Sequence, residues 1–324
     1  MGRPMRAGHG ESMTGFVYHD DYLKHTMPPW HPEQPERLTA IVAHLKETKL
    51  YDRLTHIVPV AADVERIAEI HSREYIRHAQ ETSARGGLLD AGDTPVCPDS
   101  YDVARLAVGG ALAACDTVVR GDVRNAFCLV RPPGHHARPA QGMGFCVFNN
   151  AAIAAHYLQK QHNLERILIV DWDVHHGNGT EEVFYDDATV LYFSVHRYGL
   201  FFPGSGRAEE RGAGAGEGFN INVPLAAGAG ATEFLTALRE QLVPAAERFQ
   251  PDFVLISAGY DAHRDDSLAG MALMTEDYGA LARVAKDIAE LHSEGRMVAV
   301  LEGGYDLQAL AASVAETLRV FLSP

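Results

Sequence analysis

The chain is short of cysteine, short of positive charge, and without any long apolar run. It has four cysteines in 324 residues (Cys97, Cys115, Cys128 and Cys146), and none forms a C-x-x-C pair. Cys128 and Cys146 sit among strand-like apolar residues and read as buried thiols in a reducing, cytoplasmic compartment. No stretch approaches the roughly 18 apolar residues of a membrane span, and the N-terminus lacks the apolar core of a secretory signal. Neither a membrane nor an export route is therefore expected. Lys and Arg number 28 against 43 Asp and Glu, a formal charge of −15. That balance argues against nucleic acid, whose phosphates need a basic surface, and suits cationic partners such as lysine-rich tails or polyamines. Internal repeats and long linkers are absent too, so a single domain is expected over 15–324, behind a disordered tail at 1–14.

What is present is an ordinary globular composition, 46% hydrophobic and 22% charged. Strand-like runs at Asn125–Val130, Ile167–Val170, Val190–Val195, Phe219–Val223, Phe253–Ser257 and Met297–Leu301 alternate with helical stripes. The helices are expected at Glu36–Leu45, Tyr101–Val119, Asn149–Gln161, Glu181–Tyr185, Thr232–Phe249, Thr275–His292 and Leu307–Phe321. Ala62–Gln80 reads as a helical pair capped by Asp63 and Ser72, and Gly86–Ser100 as a loop holding Asp90, Asp93 and Asp99. Alternation of β-branched strands with helices predicts an α/β fold with a mainly parallel sheet covered on both faces.

The polar clusters fall at the C-terminal ends of predicted strands, the edge where open parallel sheets bind ligands. They are His135-His136, Asp171-Trp172-Asp173-Val174-His175, His196, Gly259-Tyr260-Asp261 and Glu302-Gly303-Gly304-Tyr305-Asp306. An Asp-x-His at a strand end presents an oxygen and a nitrogen ligand, although an Asp-rich loop with solvated histidines would read alike. Asp261 completes a set with Asp173 and His175, and three protein ligands leave zinc an open position, the catalytic pattern. Gly177 and Gly179 permit a tight turn out of the sheet. Pro132-Pro133-Gly134 can re-aim both histidines inward, and Asp171 and Asn178 flank the ligands as acceptors that would set a tautomer. Tyr305 can donate to a developing oxyanion or simply pack in the core. Arg37, at the start of a helix where its charge opposes the dipole, either serves elsewhere or is solvated.

Five motifs taken together resemble the zinc-dependent histone deacetylase superfamily. They are Pro-Pro-Gly-His-His (132–136), Gly-Phe-Cys-Val-Phe-Asn-Asn (144–150), Asp-Trp-Asp-Val-His-His-Gly-Asn-Gly-Thr (171–180), Ala-Gly-Tyr-Asp-Ala-His (258–263) and Glu-Gly-Gly-Tyr-Asp-Leu (302–307). The likeness spans nearly the whole chain after residue 15. It is nearest to the class II branch and its bacterial deacetylase-like amidohydrolases, relatives of the acetylpolyamine amidohydrolases. It implies the arginase–deacetylase fold, a three-layer α/β/α sandwich on an eight-stranded parallel sheet.

By that resemblance Asp173, His175 and Asp261 bind one catalytic zinc. His135 and His136 are tandem histidines oriented by Asp171 and Asn178 respectively, and Tyr305 polarises the acyl carbonyl. Phe145 and Phe202 wall the lysine channel, Gly144 and Gly303 line it, Leu268 sits at its rim, and Arg37 lies beside the channel for acetate. Potassium is implied at two sites. One would use Asp171, Asp173, His175, Ser194 and Val195, the other the carbonyls of Phe184, Asp187, Val190 and Phe219. The activity implied is hydrolysis of acetyl or other short acyl groups from the ε-amine of lysine in proteins or peptides, with a homo-oligomer allowed. Three rivals stand beside it: an acetylpolyamine amidohydrolase, a catalytically silent zinc-binding interaction module, and an arginase-like two-metal hydrolase. Polyamine-selective relatives often carry an acidic residue where this chain has Leu268, but Asp90, Asp93 and Asp99 can do similar work. The silent module is free to lose His135, His136, Asp171 and Tyr305, all kept here, and the two-metal enzyme needs a second acidic ligand set.

Overall fold

The computed structural model describes residues 13–90 and 92–324. The first half of the chain runs β1 (Thr14–Val17), α1 (Glu36–Glu47), β2 (Thr55–Ile57), α2 (Val64–Ile67), α3 (Arg73–Arg85), β3 (Gly87–Leu88), β4 (Pro95–Val96), α4 (Ser100–Arg120) and β5 (Asn125–Cys128). It continues with α5 (Asn150–His162), β6 (Ile167–Asp171), α6 (Asn178–Phe184), β7 (Val190–Arg197), β8 (Asn220–Leu225) and α7 (Ala231–Ala237). The last elements are α8 (Val243–Phe249), β9 (Phe253–Ala258), α9 (Thr275–His292), β10 (Met297–Leu301) and α10 (Leu307–Leu322).

Eight strands pair in parallel in the order β2-β1-β5-β10-β9-β6-β7-β8, the sheet that the alternation predicts. Helices cover both faces, so the central strands β5, β6, β9 and β10 are buried at every position and read as unbroken apolar runs. α4 and α5 pack together over β1, β5, β10, β6 and β9, while α1, α9 and α10 form the opposing layer. Gly109 is where α4 meets the 60–62 segment, since a Cβ there would lie 1.7 Å from the Val60 carbonyl oxygen. The ends of the helices follow local chemistry. Ser72 accepts from the Tyr75 amide at the start of α3, and Gly121 closes α4 at φ 77°, where a side chain is strained.

Several expectations are corrected. Asp63 precedes α2 without a side-chain capping bond. The 86–100 loop contains the small antiparallel pair β3–β4, and β2 is a three-residue, half-exposed edge strand too short to show a sequence pattern. The helix expected over 232–249 is interrupted by a π-helical turn at Leu238–Leu242. Thr14 already belongs to β1, while residues 1–12 of the expected tail lie outside the described residues. All four cysteines are free, and Cys128 and Cys146 are fully buried. Among the described residues, no helix is long and apolar enough to cross a membrane.

Candidate active site

β6 stops at Asp171, so Asp173 and His175 are presented by the turn beyond it. Asp261 follows β9, the neighbouring strand. The three side chains meet, with one ligand atom from each lying within 4.8 Å of the others. His175 Nδ1 stands 3.1 Å from Asp173 Oδ1 and 3.1 Å from Asp261 Oδ2. Asp261 Oδ2 is buried with no hydrogen bond, while its partner oxygen accepts from the Val174 amide at 2.9 Å. Asp173 is held likewise, by the amides of His175 at 2.9 Å and Gly303 at 2.8 Å. Two fixed carboxylates and an imidazole around an unsatisfied oxygen fit a divalent cation of the zinc class. Gly303 keeps the place open, because a Cβ there would come 2.3 Å from Asp261 Oδ2.

The loop after β5 brings both tandem histidines inward, buried, with ring centroids 4.0 Å apart. His135 Nδ1 donates to Asp171 Oδ2 at 3.0 Å, an oxygen that also accepts from the Tyr192 hydroxyl at 2.9 Å. His136 Nδ1 donates to Asn178 Oδ1 at 2.8 Å. The environments push the pair apart. Burial disfavours a charged His135, but the carboxylates of Asp171 and Asp173 outweigh it and raise the imidazole to about 10. His136 is driven well below its usual range by burial and by the neighbouring His135 and His175. A cation on Asp173 would offset that carboxylate, so the durable contrast is a carboxylate behind His135 and a neutral amide behind His136. Gly177 and Gly179 are needed for closeness rather than for unusual backbone angles: their Cβ atoms would lie 2.3 Å from Asp171 Oδ2 and from the Ala137 carbonyl oxygen.

A cavity of about 340 Å³ opens onto these groups, lined by Phe145, Phe202, Gly144, Gly303, Leu268 and Tyr305 among others. Phe202 meets the His136 ring edge-on at 5.0 Å, and Phe145 meets Tyr305 edge-on at 5.9 Å. Gly144 and Phe145 both take positive φ, 56° and 68°. Only glycine suits the first, since a Cβ would lie 2.4 Å from His136 Cδ2. Burial and the charge of Asp261 raise Tyr305 well above the usual phenol range, so it remains a donor, and its hydroxyl bonds to no described residue. Leu268 is 42% exposed at the mouth.

Arg37 is fully buried rather than solvated. It donates to the carbonyls of Gly304 and Glu302, both at 2.6 Å, pairs with Glu33, and lies 5.0 Å from the Tyr305 ring centroid. Sequence reasoning missed Glu33, which bridges Arg37 and buried Arg131, although a carboxylate inside a proline-rich segment was a visible oddity. It missed Phe201, stacked on His175 at 4.8 Å and 9°. It also missed Asp266, whose Oδ2 holds the Tyr305 amide at 2.7 Å. Of the loop acids, the structure brings Asp93 to the cavity wall, while Asp90 turns back on the amides of residues 92–94. His196 does not join the site. It is sequestered between the Ser194 hydroxyl and the Gly206 carbonyl, each at 2.8 Å.

Comparison with known proteins bears on this geometry directly. Residues 31–321 match the histone deacetylase domain family. The chain belongs to the histone deacetylase family. A probable deacetylase of Archaeoglobus fulgidus is 43% identical over 298 residues, covering 91% of this chain and 82% of that protein. The human polyamine deacetylase HDAC10 is 40% identical over 327 residues, covering 95% of this chain but 48% of that protein. The crystal structure of the HDA15 HD domain superposes with a TM-score of 0.92 at 38% identity, covering 96% of this chain and 90% of that one. The arginase–deacetylase fold and a zinc-dependent, amide-hydrolysing deacetylase activity follow for this histone deacetylase homologue. Among its described residues, Asp173, His175 and Asp261 are the group with metal-ligand geometry, and the second acidic set of a two-metal enzyme is not found there.

Proposed function

We propose that the enzyme hydrolyses acetyl or short acyl groups from the ε-amine of lysine in peptides or proteins, acting as one catalytic domain over residues 15–324. The observation that carries this reading is the mouth of the cavity, where Leu268, Phe202 and Leu200 are all exposed apolar side chains at its edge. An apolar edge receives the neutral amides of a peptide more readily than a bare second ammonium, which would lose hydration there. Asp173, His175 and Asp261 would hold the zinc ion, which would supply Lewis acidity toward the acyl carbonyl and the attacking water. His136, whose Nδ1–H is committed to Asn178, offers Nε2 to take the proton of that water. Tyr305 donates to the oxygen that becomes negative as the tetrahedral centre forms. A protonated imidazole of the pair then returns a proton to the leaving amine, and a carboxylate and an amine depart. Potassium is assigned to the backbone around Asp171, Asp173, His175, Ser194 and Val195, and to the carbonyls of Phe184, Asp187, Val190 and Phe219. Its support is the β6–β7 register, which sets Asp171 beside Ser194. The free thiols are compatible with a reducing, cytoplasmic setting.

One observation favours acetylpolyamines as the second reading. Asp93 is a half-buried carboxylate in the cavity wall, anchored there by the Gly144 amide, which donates to its Oδ1 at 3.0 Å. Parallel turnover of an acetyl-lysine peptide and N-acetylputrescine, with zinc quantified, separates the two. A tenfold preference for the polyamine overturns the lysine reading.

A further inference from the structure

Glu302 is a fully buried carboxylate that the chemistry above leaves without a task. Its Oε2 accepts from the Gly134 amide at 2.7 Å and the His135 amide at 3.1 Å. Its Oε1 accepts from the Ser257 hydroxyl at 3.1 Å, near the end of β9, four residues before Asp261. Its own amide donates to the Ala258 carbonyl at 3.0 Å, and its carbonyl accepts from Arg37, which underlies the Tyr305 ring. One residue thus touches the loop of the histidine pair, the strand that leads to a metal ligand, and the turn that carries the oxyanion donor. These three segments come from distant parts of the chain, and no backbone ladder joins the histidine loop to the Tyr305 turn, since the pairing of β5 with β10 stops at Cys128 and Val300.

We infer that Glu302 is a positioning residue that holds the tandem histidines in register with Tyr305 by accepting the Gly134 and His135 amides. The inference rests on the proposed roles of His136 and Tyr305. What matters in it is the reach and shape of the acceptor rather than its charge. A glutamine keeps an oxygen for both amides and turns its NH₂ toward Ser257, which can accept. An aspartate keeps the charge but is one methylene short of the loop. Displacement of a reacting group by about 1 Å costs about 10²-fold in rate.

The test is steady-state kinetics on zinc-loaded Glu302→Gln and Glu302→Asp, with metal content and melting temperature measured on each preparation and His136→Ala run beside them. The expected result is Glu302→Gln within tenfold of wild-type kcat and Glu302→Asp down by about 10²-fold, both with KM within threefold and full zinc. Aspartate outperforming glutamine would show that charge is what counts and overturn the inference. So would equal activity in both variants, or a loss of activity that follows loss of zinc. An active His136→Ala would instead refute the reading of the histidine pair on which the inference stands.

Discussion

The charge at the cavity mouth can be tested through Asp93→Asn. The substitution keeps an oxygen for the Gly144 amide and the Thr94 hydroxyl, so the loop that carries Phe145 should hold its place. What disappears is a half-buried negative charge in the cavity wall. An ammonium about 4 Å from that carboxylate gains about 1 kcal/mol in water and about 4 kcal/mol at an effective dielectric of 20. Partial exposure and the ammonium's own loss of hydration leave a net of about 1–2 kcal/mol, or about 5- to 30-fold in kcat/KM. Burial and the neighbouring Asp90 push the Asp93 carboxyl up to about 6. The carboxyl is therefore charged above about pH 6 and neutral below, so help to a cationic substrate is present at pH 8 and lost by pH 5. The assay compares N-acetylputrescine with an uncharged N-alkylacetamide of equal length from pH 5 to 8. Taking the ratio cancels the titration of the shared chemistry. The wild-type ratio should fall on acidification, and the Asp93→Asn ratio should be lower at pH 8 and flat. A wild-type ratio independent of pH and unchanged in the variant refutes the assignment of Asp93 as the charge-reading residue.

Asp261→Ala removes a ligand whose second oxygen has no other partner, so bound divalent metal, near one per chain in wild type by elemental analysis, should fall to background together with activity. Wild-type turnover that survives exhaustive chelation contradicts a metal role. Tyr305→Phe should lower kcat by about 10²–10³, about 2.7–4 kcal/mol, with zinc unchanged, because the ring keeps its contacts with Phe145 and Arg37. A drop of less than threefold would reduce Tyr305 to packing. Leu268→Glu places a second carboxylate at the exposed rim and should shift the ratio of polyamine to peptide kcat/KM upward by about 2- to 10-fold, and no shift would remove that position from specificity.

The parallel sheet was legible because each central strand is buried on both faces, and burial on both faces writes an apolar run into the sequence. The candidate metal group was legible for a related reason: Asp173, His175 and Asp261, which the structure brings together, lie just past such runs. What could not be read was partnership across distance. Asp63 looks like a cap but forms no capping bond, because capping depends on a local rotamer, not on residue type alone. Arg37 looks like a surface residue in its helix, and only the turn at 302–304, folded against it, makes it a buried donor. Asp93 and Asp90 are alike in sequence. Asp90 is held by the nearby amides of residues 92–94, whereas Asp93 is held by the amide of Gly144, 51 residues away.

The strand order has a consequence for how the protein is made. β10, the last strand in the chain, lies in the middle of the sheet, between β5 and β9. Until it is added, the earlier strands stand as two separate groups, β2-β1-β5 and β9-β6-β7-β8. During synthesis from the N-terminus, residues 297–306 therefore emerge into a gap flanked by two exposed apolar edges, and the pairing of Met297 with Asn125 on the β5 side joins distant parts of the chain, a slow step for any chain. Gly303, which holds Asp173, and Tyr305 arrive in that same segment. A polypeptide released before it would carry Asp173, His175, Asp261 and both tandem histidines, yet would have no centre to its sheet and no Tyr305.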